Sequence, residues 1–204
     1  MNIIYSDSDI VVCEKPVGFS SELSSGDNMV EALRKIEGTE IFTIHRLDKA
    51  VGGLMVYAKT KFAASELSKQ MQDGTFVKFY YAVLCGKPEE KTAVLEDLLF
   101  KDSTKNKSYV VKRERKGVKK AKLEYEVVEE LKDYTVVKVR LYTGRTHQIR
   151  VQFASRGMPL SGDKKYGATD NRENIGLFSC RLEFNHPANG ERMKFELIPD
   201  TYFV

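Results

Sequence analysis

The run of residues 135–141 is the segment that most restricts what this chain can fold into. Val137, Val139 and Leu141 alternate with polar side chains, which is the period-two pattern of a β-strand with one apolar face. A strand that is buried on one side and solvated on the other is typical of an antiparallel sheet. Parallel strands covered on both faces are apolar throughout. The alternation therefore predicts a mostly antiparallel sheet.

Helix start and stop signals divide the rest of the sequence. Asp27 and Thr60 are suitable N-caps, because their side-chain oxygens can accept bonds from the first helical N–H groups. Gly38 and Gly74 follow two helical patterns, and a third pattern begins near position 147 and ends before Gly157. The residues expected to face inward from these helices are Val30, Leu33 and Ile36; Phe62, Ala63, Leu67 and Met71; and Ile149, Phe153 and Ala154.

Short apolar runs separated by turn residues predict the remaining strands. They lie at residues 2–5, 10–13, 40–44, 54–58, 76–85, 108–111, 121–128, 177–184 and 193–198. The strands at 108–111 and 121–128 are expected to pair as a hairpin with a charged tip. Together these elements predict an α+β fold with a mixed, mostly antiparallel β-sheet core and flanking helices and loops, in a single domain over residues 1–204.

Composition limits the class and the compartment. With 42% hydrophobic and 30% charged residues, the chain can bury an ordinary core. It shows no signal-peptide pattern and no apolar run of about 18 residues, so no membrane partner is expected. Cys13, Cys85 and Cys180 have no zinc-binding spacing and favour the reducing cytoplasm. Only three histidines, with no carboxylate at ligand spacing, argue against a metal site.

Positive charge is concentrated in residues 101–122, here called the basic segment. It contains ten Lys or Arg against Asp102 and Glu114, a net charge of +8, while the remaining chain nets −4. A basic surface on a nearly neutral body suits a polyanion such as nucleic acid. A solvated hairpin without a partner is the alternative.

Residues 44–54 combine a polar loop with two closing glycines between apolar runs. A loop held by two strands is where a scaffold commonly presents chemistry. Asp48 is the candidate nucleophile or base, and Arg46 and Lys49 are cations that favour the ionised form of a carboxylate. A surface turn with solvated charges is the alternative interpretation.

A second candidate segment follows the alternating strand. Arg145 lies in a strand-to-helix turn, where the backbone N–H groups and partial positive charge of a helix N-terminus favour an anion. His147 is expected either to orient this turn or to contact a phosphate. Ile149 is expected to line a binding pocket or to pack in the core, and Lys164 to touch phosphate or remain solvated.

At this point the motifs, taken in order, resemble those of the RluA-class RNA pseudouridine synthases. The resemblance covers nearly the whole chain. Its elements are Lys15-Pro16-Val17-Gly18 after an apolar run, His45-Arg46-Leu47-Asp48 with Gly53-Leu54, Lys78-Phe79-Tyr80-Tyr81-Ala82, Thr143-Gly144-Arg145-Thr146-His147-Gln148-Ile149-Arg150-Val151, and Gly162-Asp163 with Tyr166-Gly167.

The resemblance implies a function and a site. The implied reaction converts a uridine of ribosomal or transfer RNA to pseudouridine without cofactor or metal, in a monomeric cytoplasmic enzyme. Asp48 would be the catalytic aspartate, Tyr80 would contact the base and move a proton, and Arg145 would pair with the aspartate. Arg46 is expected to stack in the space left when the uridine is flipped out of the RNA. The residues expected to bind RNA are His45, Arg46, Lys49, His147, Gln148, Ile149, Arg150 and Lys164.

Two departures from the family pattern carry expectations of their own. Where the family usually has Thr-Ser-Gly, this chain has Val51-Gly52-Gly53, so two hydroxyls are missing from the loop. No separate N-terminal RNA-binding domain is expected, so RNA recognition would fall to the catalytic domain and its basic segment.

Two other functional classes fit parts of the sequence. An RNA-binding module without chemistry would use the same basic surface but would not need Asp48, Tyr80 and Arg145 together. A hydrolase could use His45 with Asp48, although no serine or cysteine motif supplies a nucleophile.

Overall fold

The computed structural model describes residues 1–199 of the chain. Its strands are β1 (Asn2–Ser6), β2 (Ile10–Lys15), β3 (Phe42–Thr43), β4 (Gly52–Ala58), β5 (Val77–Cys85), β6 (Thr92–Asp102), β7 (Lys107–Val111), β8 (Val118–Glu130), β9 (Tyr134–Leu141), β10 (Leu177–Asn185) and β11 (Arg192–Glu196). Its helices are α1 (Met29–Glu37), α2 (Lys61–Asp73) and α3 (Gln148–Ala154), with a single 3-10 turn at Lys164–Tyr166. The predicted α+β class is confirmed.

The described chain divides into two compact units. The first contains residues 1–78 and 178–199, and the second contains residues 79–177.

Strand β4 is the centre of the first unit. It pairs antiparallel with β2 and β3 and parallel with β10, while β1 pairs with β2 and β11 with β10, both antiparallel. Every residue of β4 is buried, because the strand has neighbours on both edges and side chains packed on both faces. The parallel pairing of β4 with β10 makes the sheet mixed, as predicted.

An apolar cluster joins this sheet to α2. Ala63 and Leu67 of α2 are fully buried against strand residues such as Leu54 and Val56. Phe184 extends the cluster through stacked rings, with Phe76 at 5.3 Å between centroids. Burial of this much apolar side-chain area is the main force that holds the unit together.

The second unit contains the strands in the order β5, β9, β8, β6, β7. The pairs β8–β9, β6–β8 and β6–β7 are antiparallel. Helix α3 covers one face of this sheet, where Val151 packs on Leu99 and Ala121, and Phe153 meets Tyr125 edge-on at 5.4 Å.

The predicted hairpin between residues 108–111 and 121–128 is wrong. Strands β7 and β8 each pair with β6, one on either edge, and the hairpin partner of β7 is therefore β6. The sequence of β6 has no clean alternation: its exposed and buried residues are irregularly spaced. Because β6 gives no strand pattern of its own, the sequence pattern pairs the two neighbouring runs with each other.

Two helix details also differ from expectation. The N-cap of α1 is Asn28, whose side chain accepts from the Glu31 N–H at 2.9 Å, rather than Asp27. Ile36 and Phe62 are each 58% exposed instead of buried. Ile36 lies near the end of a short helix and Phe62 in the first turn of another, where periodicity constrains the buried face least. The cap at Thr60 and the glycine ends of both helices are confirmed.

Gly53 is required by close contact between backbones. It lies in β4 between Lys15 of β2 and Ser179 of β10, with φ of +117°. A Cβ at this position would overlap the Ser179 carbonyl oxygen and lie 2.6 Å from its nitrogen. Only a residue without a side chain permits both the dihedral and the strand spacing.

We predict that Gly53→Ala lowers the free energy of unfolding by about 3 kcal/mol or more, because overpacking adds to left-handed strain. Gly74→Ala is the matched control. Its φ is +81°, but nothing lies within 4 Å of the added carbon, so strain alone should cost about 1–2 kcal/mol. Urea unfolding of both variants measures the difference, and equal losses would contradict the overlap.

Candidate active site

The loop that carries Asp48 joins β3 to β4 in the first unit. Asp48 is half-buried, whereas Arg46 and Lys49 are exposed. The Asp48 carbonyl accepts from the Val51 N–H at 2.9 Å, and the Lys49 carbonyl accepts from the Gly18 N–H at 2.8 Å. These backbone bonds fix Asp48 and Lys49, while the side chains of Arg46 and Lys49 lie at the surface.

Lys15 contacts this loop, and the sequence reasoning, which noted Lys15 only as part of a motif, missed its role in supporting it. Its side chain is fully buried, and Nζ donates to the carbonyls of Pro16 and Phe19, both at 2.9 Å, and of Lys49 at 3.4 Å. Burial lowers the pKa of Lys15 to about 8, an effect that the charge of Asp48 opposes. The available signal was a lysine at the end of the strand pattern that begins with the apolar run 10–13.

Ser21 fixes the loop from another side. Its Oγ donates to the Leu47 carbonyl at 3.0 Å and accepts from the Leu47 N–H at 3.3 Å. The carbonyl of Ser21 in turn accepts from the hydroxyl of buried Tyr57 at 2.9 Å. The residue that precedes Asp48 is therefore held by both of its backbone polar groups.

Arg46 and His45 occupy different environments. Arg46 pairs with Glu22, Nε to Oε2, at 3.1 Å, with the arginine side chain 61% exposed. His45 is buried, its Nε2 accepts from the Val56 N–H at 3.2 Å, and its ring lies 5.6 Å from that of Phe76. An RNA contact by either residue stays a prediction, while the contacts of His45 give it a structural role.

Burial, with the charge of Lys78 as a second cause, lowers the pKa of His45 to about 3. His45 is therefore neutral at physiological pH, and the nitrogen lone pair that a general base needs is already used by Val56. This geometry disfavours the hydrolase interpretation.

Tyr80 lies in β5 within the second unit. It is buried, with 5% of its surface exposed, while its neighbours Phe79 and Tyr81 are half-buried. This alternation directs Tyr80 to the face opposite Phe79 and Tyr81, as the strand period requires.

Arg145 lies in the turn between β9 and α3, and Gln148 organises that turn. The Gln148 side-chain oxygen accepts from the Arg145 N–H at 3.0 Å and from the Thr143 hydroxyl at 2.8 Å, while its Nε2 donates to the Lys122 carbonyl at 3.1 Å. Arg145 Nε donates to the Lys120 carbonyl at 2.9 Å. This bond engages one of the five N–H donors of the guanidinium and orients the group.

The other residues predicted to bind RNA in this unit divide by burial. Ile149 and Arg150 are buried, and Arg150 makes a bidentate ion pair with Asp163, with Nε–Oδ2 at 2.6 Å and Nη2–Oδ1 at 2.9 Å. Breaking such a pair by removing one partner leaves an uncompensated buried charge. Lys164 is exposed. RNA contacts by these residues stay predictions.

The structure thus groups the predicted site residues in two sets. His45, Arg46, Asp48 and Lys49 belong to the first unit. Tyr80, Arg145, His147, Gln148, Ile149, Arg150 and Lys164 belong to the second.

Within residues 1–199, no three His, Cys, Asp or Glu side chains are placed to hold a metal ion. None of the helices in this range combines the length and apolar character needed to cross a bilayer.

Comparison with known proteins identifies the family. Residues 9–155, which include Asp48, Tyr80 and Arg145, match the model of the RNA pseudouridylate synthase family. The chain belongs to this family and, within it, to the RluA class, whose members are isomerases that convert uridine in RNA to pseudouridine.

Relatives and solved structures agree with this assignment. An uncharacterised RNA pseudouridine synthase of Aquifex aeolicus is 36% identical, with 99% of this chain and 71% of the relative aligned. The ribosomal large subunit pseudouridine synthase C of Haemophilus influenzae is 32% identical, with 95% of this chain and 63% of the relative aligned. The structure of human RNA pseudouridylate synthase domain containing 1 shares the fold, with a TM-score of 0.81 at 23% identity over 97% of this chain and 83% of that one.

The depressed pKa of His45 predicts a specific pH dependence of stability. Below about pH 6.5 the unfolded chain takes up a proton at His45 that the folded protein excludes down to about pH 3. As the pH is lowered across this window, the free energy of unfolding should therefore decrease, and His45 should contribute about 1.4 kcal/mol per pH unit to the decrease. His45→Gln retains an acceptor for Val56 and should show a shallower slope in urea unfolding between pH 7 and 5. Equal slopes would show that His45 is not the group responsible.

Proposed function

We propose that this protein isomerises one uridine, or a few, in ribosomal or transfer RNA to pseudouridine, with Asp48 as the catalytic aspartate and no cofactor. The observation that carries the proposal is the family match over residues 9–155. Asp48 lies within that match on a loop braced by Lys15, Ser21 and Gly18. A carboxylate that must react in one orientation benefits from such pre-organisation.

The reaction requires three events at one nucleoside. The bond between the sugar C1′ and N1 of uracil breaks and the base turns while bound. C1′ then joins to C5, whose proton leaves, and N1 gains a proton, so that the product is an isomer of the substrate. Asp48 assists either by adding to the uracil ring or by acting at C1′. We assign Tyr80 to base contact and proton movement, and Arg145 to pairing with the carboxylate, since a guanidinium stabilises the charge needed for attack.

The same proposal includes the organisation of the enzyme. Residues 1–204 act as a single catalytic domain, as a monomer, in the cytoplasm. Support for an RNA substrate comes from the exposed cations of the basic segment, since nine of its ten Lys and Arg are exposed and phosphate contacts supply most non-specific affinity for nucleic acid. Ribosomal RNA is favoured because the named activity of the Haemophilus influenzae relative is on the large ribosomal subunit.

Arg46 is proposed to fill the space that the flipped uridine leaves. It precedes Asp48 by two residues on the same loop and extends into solvent. Its present partner is Glu22, at 47% exposure, and an exposed ion pair of this kind contributes only about 0–1 kcal/mol. The guanidinium can therefore exchange this carboxylate for a base stack at little cost.

The central test is a map of pseudouridine in total RNA at single-nucleotide resolution, from cells with and without this gene. Wild-type protein should restore the lost sites. Asp48→Asn is nearly isosteric and should reduce their formation by about 1,000-fold or more, because the reacting carboxylate is gone.

Binding of Asp48→Asn to the same RNA, measured by titration at two salt concentrations, is the control, and its affinity should be retained. If no site depends on the gene although the wild type binds RNA, the protein is an RNA-binding module without chemistry. If Asp48→Asn restores the sites, the proposed role of Asp48 is wrong.

The proposed role of Arg46 predicts dependence on RNA structure. Arg46→Ala should slow modification of a base-paired substrate by about tenfold or more, since unstacking costs a few kcal/mol that the stack offsets. A short unstructured oligonucleotide carrying the same uridine should be affected much less. Lys49→Ala removes an equal charge from the same loop and should reduce the modification of both RNAs to the same extent. If Arg46→Ala also acts equally on both RNAs, the stacking role is contradicted.

A further inference from the structure

The turn that carries Arg145 ends in a backbone conformation that is uncommon for its residue type. His147, which directly precedes α3, has φ of 55° and ψ of 27°, in the left-handed region. Asn106 is the other non-glycine residue of positive φ within residues 1–199. A histidine held in this region is stable only where its surroundings enforce it.

Tyr166 supplies the enforcing contact. Its hydroxyl lies 3.0 Å from His147 Nδ1, and the two rings meet edge-on with centroids 5.7 Å apart. The same hydroxyl accepts from the Ser108 N–H at 2.8 Å. That bond uses one lone pair of the oxygen, and the hydroxyl donates its hydrogen to His147 Nδ1 when the ring hydrogen of His147 lies on Nε2. Burial raises the pKa of Tyr166, so the phenol keeps this hydrogen.

Ser108 connects this junction to the basic segment. It is the second residue of β7, it is 2% exposed, and its hydroxyl donates to the Thr146 carbonyl at 2.7 Å. Thr146 lies between Arg145 and His147. The strand β7 is thus bonded to the turn twice, once through Tyr166 and once directly.

Two further contacts join the segment around Tyr166 to the hairpin formed by β6 and β7. Lys107 Nζ lies 5.0 Å from the centre of the Tyr166 ring, and Lys165 Nζ donates to the Asn106 carbonyl at 3.1 Å. RNA that binds the exposed cations next to β7 would therefore contact the region of the strand to which the Arg145 turn is bonded.

We propose that Tyr166 is a positioning residue for the isomerisation: its hydroxyl locks the left-handed turn at His147, and with it Arg145, onto the strand β7 of the basic segment. This inference rests on the proposed function. The lock predicts that loss of the hydroxyl changes the rate of the bound complex more than the affinity for RNA. Binding depends on the cations, while the rate depends on where Arg145 is held.

Tyr166→Phe isolates the hydroxyl, because the ring and its contacts with Lys107 and His147 remain. Tyr109→Phe is the matched control: it removes a hydroxyl from β7, from a ring that also lies near Lys107, at 5.8 Å. The probe is ribosomal and transfer RNA purified from cells lacking this gene. With enzyme in excess, the dependence of pseudouridine formation on enzyme concentration yields a maximal rate and a half-saturating concentration.

For Tyr166→Phe we expect a maximal rate about tenfold lower, as for one lost hydrogen bond in a positioned site, with half-saturation within about twofold of wild type. Tyr109→Phe should resemble wild type in both. Replacing Lys112 and Arg113 by Ala should do the reverse, raising half-saturation with little change in maximal rate, because phosphate contacts govern affinity.

A double-mutant cycle tests whether the Tyr166 hydroxyl acts through His147. Glycine adopts the left-handed conformation without strain, so His147→Gly removes both the strain and the partner of Tyr166. In that background Tyr166→Phe should cause little further loss. Additive losses would overturn the route, and an unchanged maximal rate in Tyr166→Phe would overturn the proposal.

Two other outcomes are separable. A merely structural role would lower the melting temperature of Tyr166→Phe and raise half-saturation together, with the maximal rate recovering on cooling, and would overturn the proposal. If wild-type protein modifies none of these RNAs, the proposed function and this inference both fail. If the wild type is active and Tyr166→Phe equals it, only this inference fails.

Discussion

The buried ammonium of Lys15 is the interaction on which the Asp48 loop depends. A fully desolvated cation is unfavourable unless its donors are satisfied, and here three carbonyls and the charge of Asp48 supply that compensation. The three carbonyls come from the turn after β2 and from the loop itself, so removing the cation would leave them without the donor that they share. Segments distant in sequence are thereby fixed together by one polar centre.

The second unit repeats this arrangement with neutral groups. Gln148 is buried and Tyr166 half-buried, and both contact backbone atoms of the turn or of a neighbouring strand. Arg145, also half-buried, belongs to the same network. Asp48 and Arg145 are half-buried, whereas Lys15 and Gln148, which hold their backbones, are buried. Rigid support from buried polar groups is what a positioned site requires.

Features that depend on near neighbours were predictable from the sequence. The Thr60 cap, the glycine ends of two helices and the half-buried strand β9 follow from local rules and are confirmed. Strand pairings that depend on an intervening strand are not predictable from local pattern. For this reason the sequence predicts that β7 pairs with β8, although both pair with β6. Candidate site residues were recognised by motif, but motif does not reveal burial. The motifs indicate RNA binding for His45 and no individual role for Lys15, and only the tertiary structure shows that both side chains are buried.

The departure at Val51-Gly52 can be understood in the same terms. A hydroxyl there would help hold the loop, yet the loop is already fixed through the backbones of Leu47, Asp48 and Lys49. Val51 is 2% exposed, so its side chain contributes apolar burial in place of a hydrogen bond. At Gly52 a Cβ would lie 3.4 Å from the Lys15 carbonyl oxygen and from Val17 Cγ2, which is ordinary van der Waals contact. The altered residues therefore match a loop held from beneath, through main-chain atoms, instead of by its own side chains.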